Sequence, residues 1–179
     1  MRGYFGIGVE GISKPMNLGS LWRTAHTFGA SFIFTIAASY ARREGERADT
    51  SKTSGQVPLY EFADLDSFRL PEGCALVGVE ILDEATELPS FPHPRQAAYV
   101  LGPERGALSP GLVARCAHVV KIPTKFSVNL AIAGAIVMYD RLLCLGRFAE
   151  RPLVAGQEVV QPPRPVFGPP IRRRRAAKA

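Results

Sequence analysis

The chain has 179 residues, 46% of them hydrophobic, with a formal charge of +6 and three cysteines. This is the size of one domain with a real core. It excludes a disulfide framework or a C-x-x-C zinc site, because Cys74, Cys116 and Cys144 are odd in number and far apart.

Residues 1–146 are neutral, whereas residues 147–179 hold eight basic and two acidic residues. A polyanionic partner would therefore meet the tail before the body. No uncharged apolar run nears the ~20 residues that span a bilayer, and no signal region precedes the first strand, so a soluble, cytoplasmic protein is expected.

In chain order, residues 3–9 and 31–37 are apolar runs of strand character, rich in β-branched and aromatic residues. Between them, "MNLGSLWRTAHTFGA" reads as a helix in which Leu18, Leu21, Trp22, Ala25 and Phe28 share one face and Arg23 falls nearly opposite. Asn17 is expected to cap that helix and leave its free N–H groups toward an anion. After a polar segment, 41–56, further strands are expected at 75–81, 97–101 and 118–122. Ser109 and Pro110 are an N-cap and first-turn pair for a helix through Arg115. From Ser127 onward a long helix, apolar nearly all round and rich in Ala and Gly, should be buried.

Strands alternating with helices predict an α/β fold, a mostly parallel sheet with helices on both faces. That domain would cover residues 1–148. Residues 149–179 form a Pro- and Arg-rich tail that can bury too little to offset the entropy of ordering, so it is expected to be mobile.

"GIGVEG", residues 6–11, matches G-x-G-x-x-G after a strand. The dinucleotide fingerprint needs its third glycine at a helix start, yet Ile12, Ser13, Lys14 and Pro15 intervene. Glycines in a loop at a strand end are explanation enough.

Three segments place polar residues at turns between apolar elements: "KPMNLGSLWRTAHTFGA", "YVLGPERGALSP" and "VKIPTKFSVNLAIAGAI". In this order they resemble the three motifs of the SpoU-type (TrmH-like) RNA 2′-O-ribose methyltransferases of the SPOUT superfamily, over residues 3 to 146. The resemblance implies a C-terminal deep trefoil knot, a homodimer with its site near the subunit interface, and S-adenosylmethionine held bent by three loops. Those loops map to Val79 and Glu80, to Leu101, Gly102, Pro103 and Glu104, and to Ile122 through Val128 with Ser127. The family's functional residues fall on Asn17 and Arg23, on Glu104, and on Ser127 and Asn129. The chain departs from the pattern in its shorter turn before Ser127, in Thr124 where methionine is frequent, and in Ala131 where a small hydroxyl residue is frequent. Its motifs begin almost at its first residue, so the N-terminal RNA-binding domain of larger relatives is not expected.

Methyl transfer from a sulfonium to a 2′-hydroxyl is an in-line displacement in which the hydroxyl must lose a proton. A guanidinium stays charged in water, so Arg23 is expected to clamp the neighbouring phosphate and stabilise the developing alkoxide. His26, one turn on, is an alternative base. RNA affinity is expected from Arg42, Arg43, Arg47 and Lys52 after the second strand and from Arg172, Arg173, Arg174 and Arg175 in the tail, and no metal is called for. The compact chain favours tRNA over rRNA as substrate. A non-catalytic RNA-binding protein that kept the fold is the competing reading.

Overall fold

The computed structural model describes residues 3–39, 55–146, 148–149, 154–161 and 163. Its elements are β1 (Tyr4–Glu10), α1 (Pro15–Phe28), β2 (Phe32–Ile36), β3 (Leu59–Phe62), β4 (Ala75–Val79), β5 (Thr86–Glu87), a 3-10 turn (Leu88–Ser90), β6 (Gln96–Leu101), α2 (Pro110–Arg115), β7 (His118–Lys121) and α3 (Leu130–Leu145). The strands form one seven-stranded sheet in the order β3-β2-β1-β6-β4-β7-β5. Every neighbouring pair is parallel. The chain divides into one unit over Met1–Gly146, which carries the sheet, and another over Arg147–Ala179.

The sheet is covered on both faces, as a parallel sheet of continuously apolar strands requires. On one face Ile7, Val9, Tyr99 and Val120 pack with Leu18, Leu21 and Trp22 of α1 and Val137 and Met138 of α3. On the other, Phe34, Ala98 and Val100 pack with Phe68 and with Leu112 of α2. The Phe34 and Phe68 rings stack there, 5.2 Å between centroids.

The glycines of "GIGVEG" serve this packing. Gly6 and Gly8 lie inside β1 rather than in a loop, opposite Phe32 and Phe34 of β2. A Cβ at Gly6 would come within 2.2 Å of the Phe32 ring, and one at Gly8 within 2.4 Å of the Phe34 carbonyl oxygen. Only a residue without a side chain lets these large rings lie across the neighbouring strand.

Helix starts differ from the sequence reading. Pro15 opens α1 and Lys14 is its N-cap, so Asn17 sits in the first turn and does not cap it. Proline at the first helical position needs no amide partner and comes with its φ already set, which outweighs a cap two residues later. In α3 the cap is Asn129, whose side chain accepts from the Ala131 amide at 2.9 Å, so the helix begins three residues after Ser127. Nor is α3 buried all round: Ile132, Tyr139 and Leu142 are exposed. The helix at Ser109–Pro110 forms as expected, with the Ser109 side chain accepting from the Leu112 amide.

A buried polar cluster ties α3 to the strands. Arg141, 4% exposed, donates to the Pro94 and Arg95 carbonyls and to the Tyr99 hydroxyl. That hydroxyl lies 2.6 Å from His93 Nδ1, and His93 Nε2 lies 2.9 Å from Asp140. With Arg141 donating to Tyr99, the tyrosine O–H is left to donate to Nδ1, and Nε2–H donates to Asp140. Burial holds His93 below its ordinary pKa, in the neutral form this pattern needs. Among the described residues no helix is long and apolar enough to cross a membrane.

Candidate active site

Strands β6, β4 and β7 are neighbours, and the loops at their carboxyl ends meet around a cavity of about 250 Å³. Ligands of open parallel sheets bind in this place, outside the carboxyl ends of the strands. Each of the eight residues named above from the loops at Val79–Glu80, Leu101–Pro103 and Ile122–Val128 lines the cavity. Thr124, noted above only as a departure from the family pattern, lines it as well, as do Leu130 and Ala133, which nothing in the sequence marked as site residues. Nearly buried Val79, Leu101, Leu130 and Ala133 give it apolar walls, while Glu80, Thr124 and Ser127 bring polar groups.

Three carboxylates hold the middle loop in shape. Glu80 accepts from the Leu108 amide at 2.8 Å and from its neighbour Ile81 at 2.9 Å. Glu10, at the end of β1, accepts from both the amide and the hydroxyl of Ser109, at 2.7 and 2.6 Å. Between them Gly102 is tightly enclosed, since a Cβ would come within 3.1 Å of both Glu80 Oε2 and the Leu108 amide nitrogen and the loop would have to give way. Sequence reasoning missed Glu10 and saw Ser109 only as a cap. The available signal was an acidic residue ending an otherwise apolar, buried strand.

The third carboxylate joins the three motifs. Glu104 accepts from the amide and hydroxyl of Ser13, both at 3.1 Å, from the Lys14 amide at 3.1 Å, and from the Asn17 side-chain amide at 2.9 Å. It thereby satisfies backbone donors at the start of α1, where the helix dipole also favours an anion. Asn17 Oδ1 in turn accepts from Asn129 Nδ2 at 3.2 Å, and Asn129 Oδ1 caps α3. A single hydrogen-bonded chain thus runs from Glu104 through Asn17 to Asn129 and fixes the orientation of both amides. Burial alone would raise the Glu104 pKa, but the bonds from Asn17 and Ser13 outweigh it and hold the carboxyl below its ordinary range.

Ser127 is exposed and lines the cavity, and its hydroxyl makes no hydrogen bond with a described residue. Arg23 is not part of this cluster. It stands exposed on α1, does not line the cavity, and makes no ion pair or hydrogen bond through its guanidinium with a described residue. His26 is exposed on the same helix. Arg42, Arg43, Arg47, Lys52 and Arg172 to Arg175 lie outside the described residues. Among the described residues no group of acidic, histidine or cysteine side chains could hold a metal.

Residues 5–139 match the model of the SpoU rRNA Methylase family. The tRNA (guanosine(18)-2'-O)-methyltransferase TARBP1 of Mus musculus is 27% identical over 138 residues, covering 72% of this chain and 9% of that protein. The chain therefore spans a small part of this curated relative. Among solved structures, the AdoMet-bound rRNA methyltransferase from Sinorhizobium meliloti superposes with a TM-score of 0.71 at 20% identity, over 80% of this chain and 57% of that one. A structure described as giving insights into the 2-OH methylation of C/U34 on tRNA superposes with a TM-score of 0.69 at 22% identity, over 81% of this chain and 98% of that one.

Proposed function

Because this chain belongs to the SpoU rRNA methylase family, we propose that it methylates a ribose 2′-hydroxyl of RNA with S-adenosylmethionine, and that the RNA is a tRNA. The observation that carries the reading is the cavity at the ends of β4, β6 and β7, beside the chain from Glu104 to Asn129 that joins all three motif segments. A tRNA is favoured because the tRNA enzyme TARBP1 is similar in sequence over most of this chain.

The residues fit such a cofactor. The apolar walls suit an adenine ring, and the tight backbone at Gly102 leaves main-chain polar groups for its edge and for the ribose. Bound S-adenosylmethionine supplies an electrophilic methyl group on a sulfonium. The chain's own residues then have separate tasks. Ser127 presents a hydroxyl at the cavity that no described residue occupies, suited to orienting cofactor or ribose. Asn17 and Asn129, each held by a neighbour, offer amide N–H groups whose direction is already fixed, which lowers the entropy of aligning the reacting hydroxyl. Arg23, an uncommitted guanidinium, binds the phosphate beside that ribose and stabilises the negative charge that develops on the 2′-oxygen as its proton passes to solvent water.

Exposed Ile132, Tyr139 and Leu142 on α3 give a second copy an apolar surface to cover, in keeping with a homodimer. The free Cys74, Cys116 and Cys144 suit the reducing cytoplasm. A deep trefoil knot at the C-terminal end is part of the same proposal, in keeping with the family. The cations of 42–52 and of the tail would add affinity that falls with salt.

The test is to incubate the protein with labelled S-adenosylmethionine and either total tRNA or rRNA, then digest the RNA. A 2′-O-methyl group blocks cleavage of the adjacent linkage, so label in an uncleaved dinucleotide establishes both reaction and position. Label in rRNA alone transfers the proposal to rRNA. A folded, cofactor-binding sample that labels neither RNA overturns it and leaves an RNA-binding module.

A further inference from the structure

The turn between β7 and α3 presents an aromatic ring to solvent. Phe126 is 79% exposed, the second most exposed large hydrophobic side chain among the described residues. Single exposed apolar residues are common and need no explanation, but this one is held in a particular way. The Thr124 amide donates to the Ile122 carbonyl at 2.8 Å, and the Thr124 hydroxyl donates to the Phe126 carbonyl at 2.9 Å. The turn is therefore braced by its own hydrogen bonds. Its flanking residues Thr124 and Ser127 both line the cavity, while Phe126 makes no ring contact with a described aromatic residue. Lys125 beside it is exposed too. A braced turn with a free ring and a cation at the rim of a cavity has the parts of a single-strand contact, a π-face for a base and a charge for the adjoining phosphate.

We propose that Phe126 stacks on an unpaired base of the RNA next to the methylated ribose, with Lys125 pairing to its phosphate. The proposal rests on the reading of the chain as an RNA methyltransferase. It makes the turn at Thr124 to Phe126 a determinant of which nucleotide is presented, because only a base free of its helix can lie on the ring.

The experiment separates the two claims. Transfer from S-adenosylmethionine to total tRNA is compared for wild type, Phe126→Ala and Phe126→Tyr, with cofactor binding followed by calorimetry. Phe126→Ala is expected to raise the apparent KM for tRNA about tenfold, the order of one lost stack, with cofactor affinity within about twofold of wild type. Phe126→Tyr, which keeps the ring, should restore it. A Phe126→Ala enzyme with unchanged KM overturns the stack, as does one that loses cofactor affinity in step with KM.

A second readout needs no turnover. The indole introduced by Phe126→Trp is exposed, unlike buried Trp22, and should be quenched by tRNA but not by heparin, a polyanion without bases. A spectral change on raising protein concentration without RNA would mean that a second copy covers the ring, and would overturn the proposal. If wild type labels no RNA, the proposed activity fails by itself, and the quenching still decides whether a base stacks here.

Discussion

Replacing Glu104 by glutamine tests the joint between the motifs with the smallest possible change. The carboxylate accepts from four donors: the Ser13 amide and hydroxyl, the Lys14 amide and the Asn17 side chain. A glutamine keeps one acceptor oxygen. If that oxygen takes the side facing Lys14 and Asn17, the Ser13 hydroxyl can turn to accept from the new NH2. The Ser13 amide cannot turn, and it is left against a donor. Charge-assisted bonds also become neutral ones, roughly half as strong. The site is only part-buried, so solvent softens the loss, and about 1 to 2 kcal/mol is expected, a factor of about 5 to 30 in the folded equilibrium. The pH dependence has a definite sign. Because the folded-state pKa lies below the ordinary 4.5, the carboxylate stabilises the fold fully above that value and loses this contribution as pH falls through the folded-state pKa. Urea unfolding of wild type and Glu104→Gln should therefore differ at neutral pH and converge in a series descending from pH 4.5. Equal midpoints at neutral pH would refute the reasoning, and so would a gap that stays constant to the lowest pH at which both proteins fold.

Arg23→Ala should reduce methyl transfer by roughly 10²- to 10³-fold, the cost of one donor to developing charge, while calorimetry shows S-adenosylmethionine binding nearly unchanged; undiminished transfer would remove Arg23 from the mechanism. Gly102→Ala places a Cβ 3.1 Å from Glu80 Oε2 and the Leu108 amide, so the loop must shift and cofactor affinity should fall on the order of tenfold by the same measurement, given that about 1.4 kcal/mol is one decade. Gly134→Val sets its first carbon 2.4 Å from Leu21 Cδ1 and 3.3 Å from Ile7 Cδ1, both fully buried, and a thermal melt should show about 1 to 3 kcal/mol of lost stability.

The strands were readable because burial on both faces makes each a nearly unbroken apolar run, as in Ile7 to Val9 and Ala97 to Leu101. β3 and β5 escaped for the complementary reason. β3 is a four-residue edge strand, "LYEF", with Tyr60 and Glu61 exposed, and β5 is two exposed residues. Neither carries enough burial to leave a pattern. The cavity-lining loops were legible through motif resemblance, but the bonds that hold them were not. Glu10 and Ser109 are 99 positions apart, and no local pattern encodes a contact across that separation. Asn17 shows the limit most clearly. Its type suited a cap, and the structure uses its amide instead to bridge Glu104 and Asn129.

That bridge also bears on how Arg23 can act. The first turn of α1 is fastened to the loop of Glu104 and to the start of α3, and the stripe of Leu18, Leu21, Trp22 and Ala25 is buried against the sheet. With Trp22 also donating to the Val57 carbonyl at 2.9 Å, the helix has no freedom to roll. Arg23 lies six residues beyond Asn17, about 9 Å along the axis, so it is too far on to share the short-range contacts of the amide chain. A group at that distance suits a substrate that extends from the cavity over the helix, as a phosphodiester chain does, better than a small cofactor enclosed by three loops. Such a division of labour requires that loss of the guanidinium leave cofactor binding intact while sharply reducing transfer, and that rising salt weaken RNA engagement before it weakens cofactor binding.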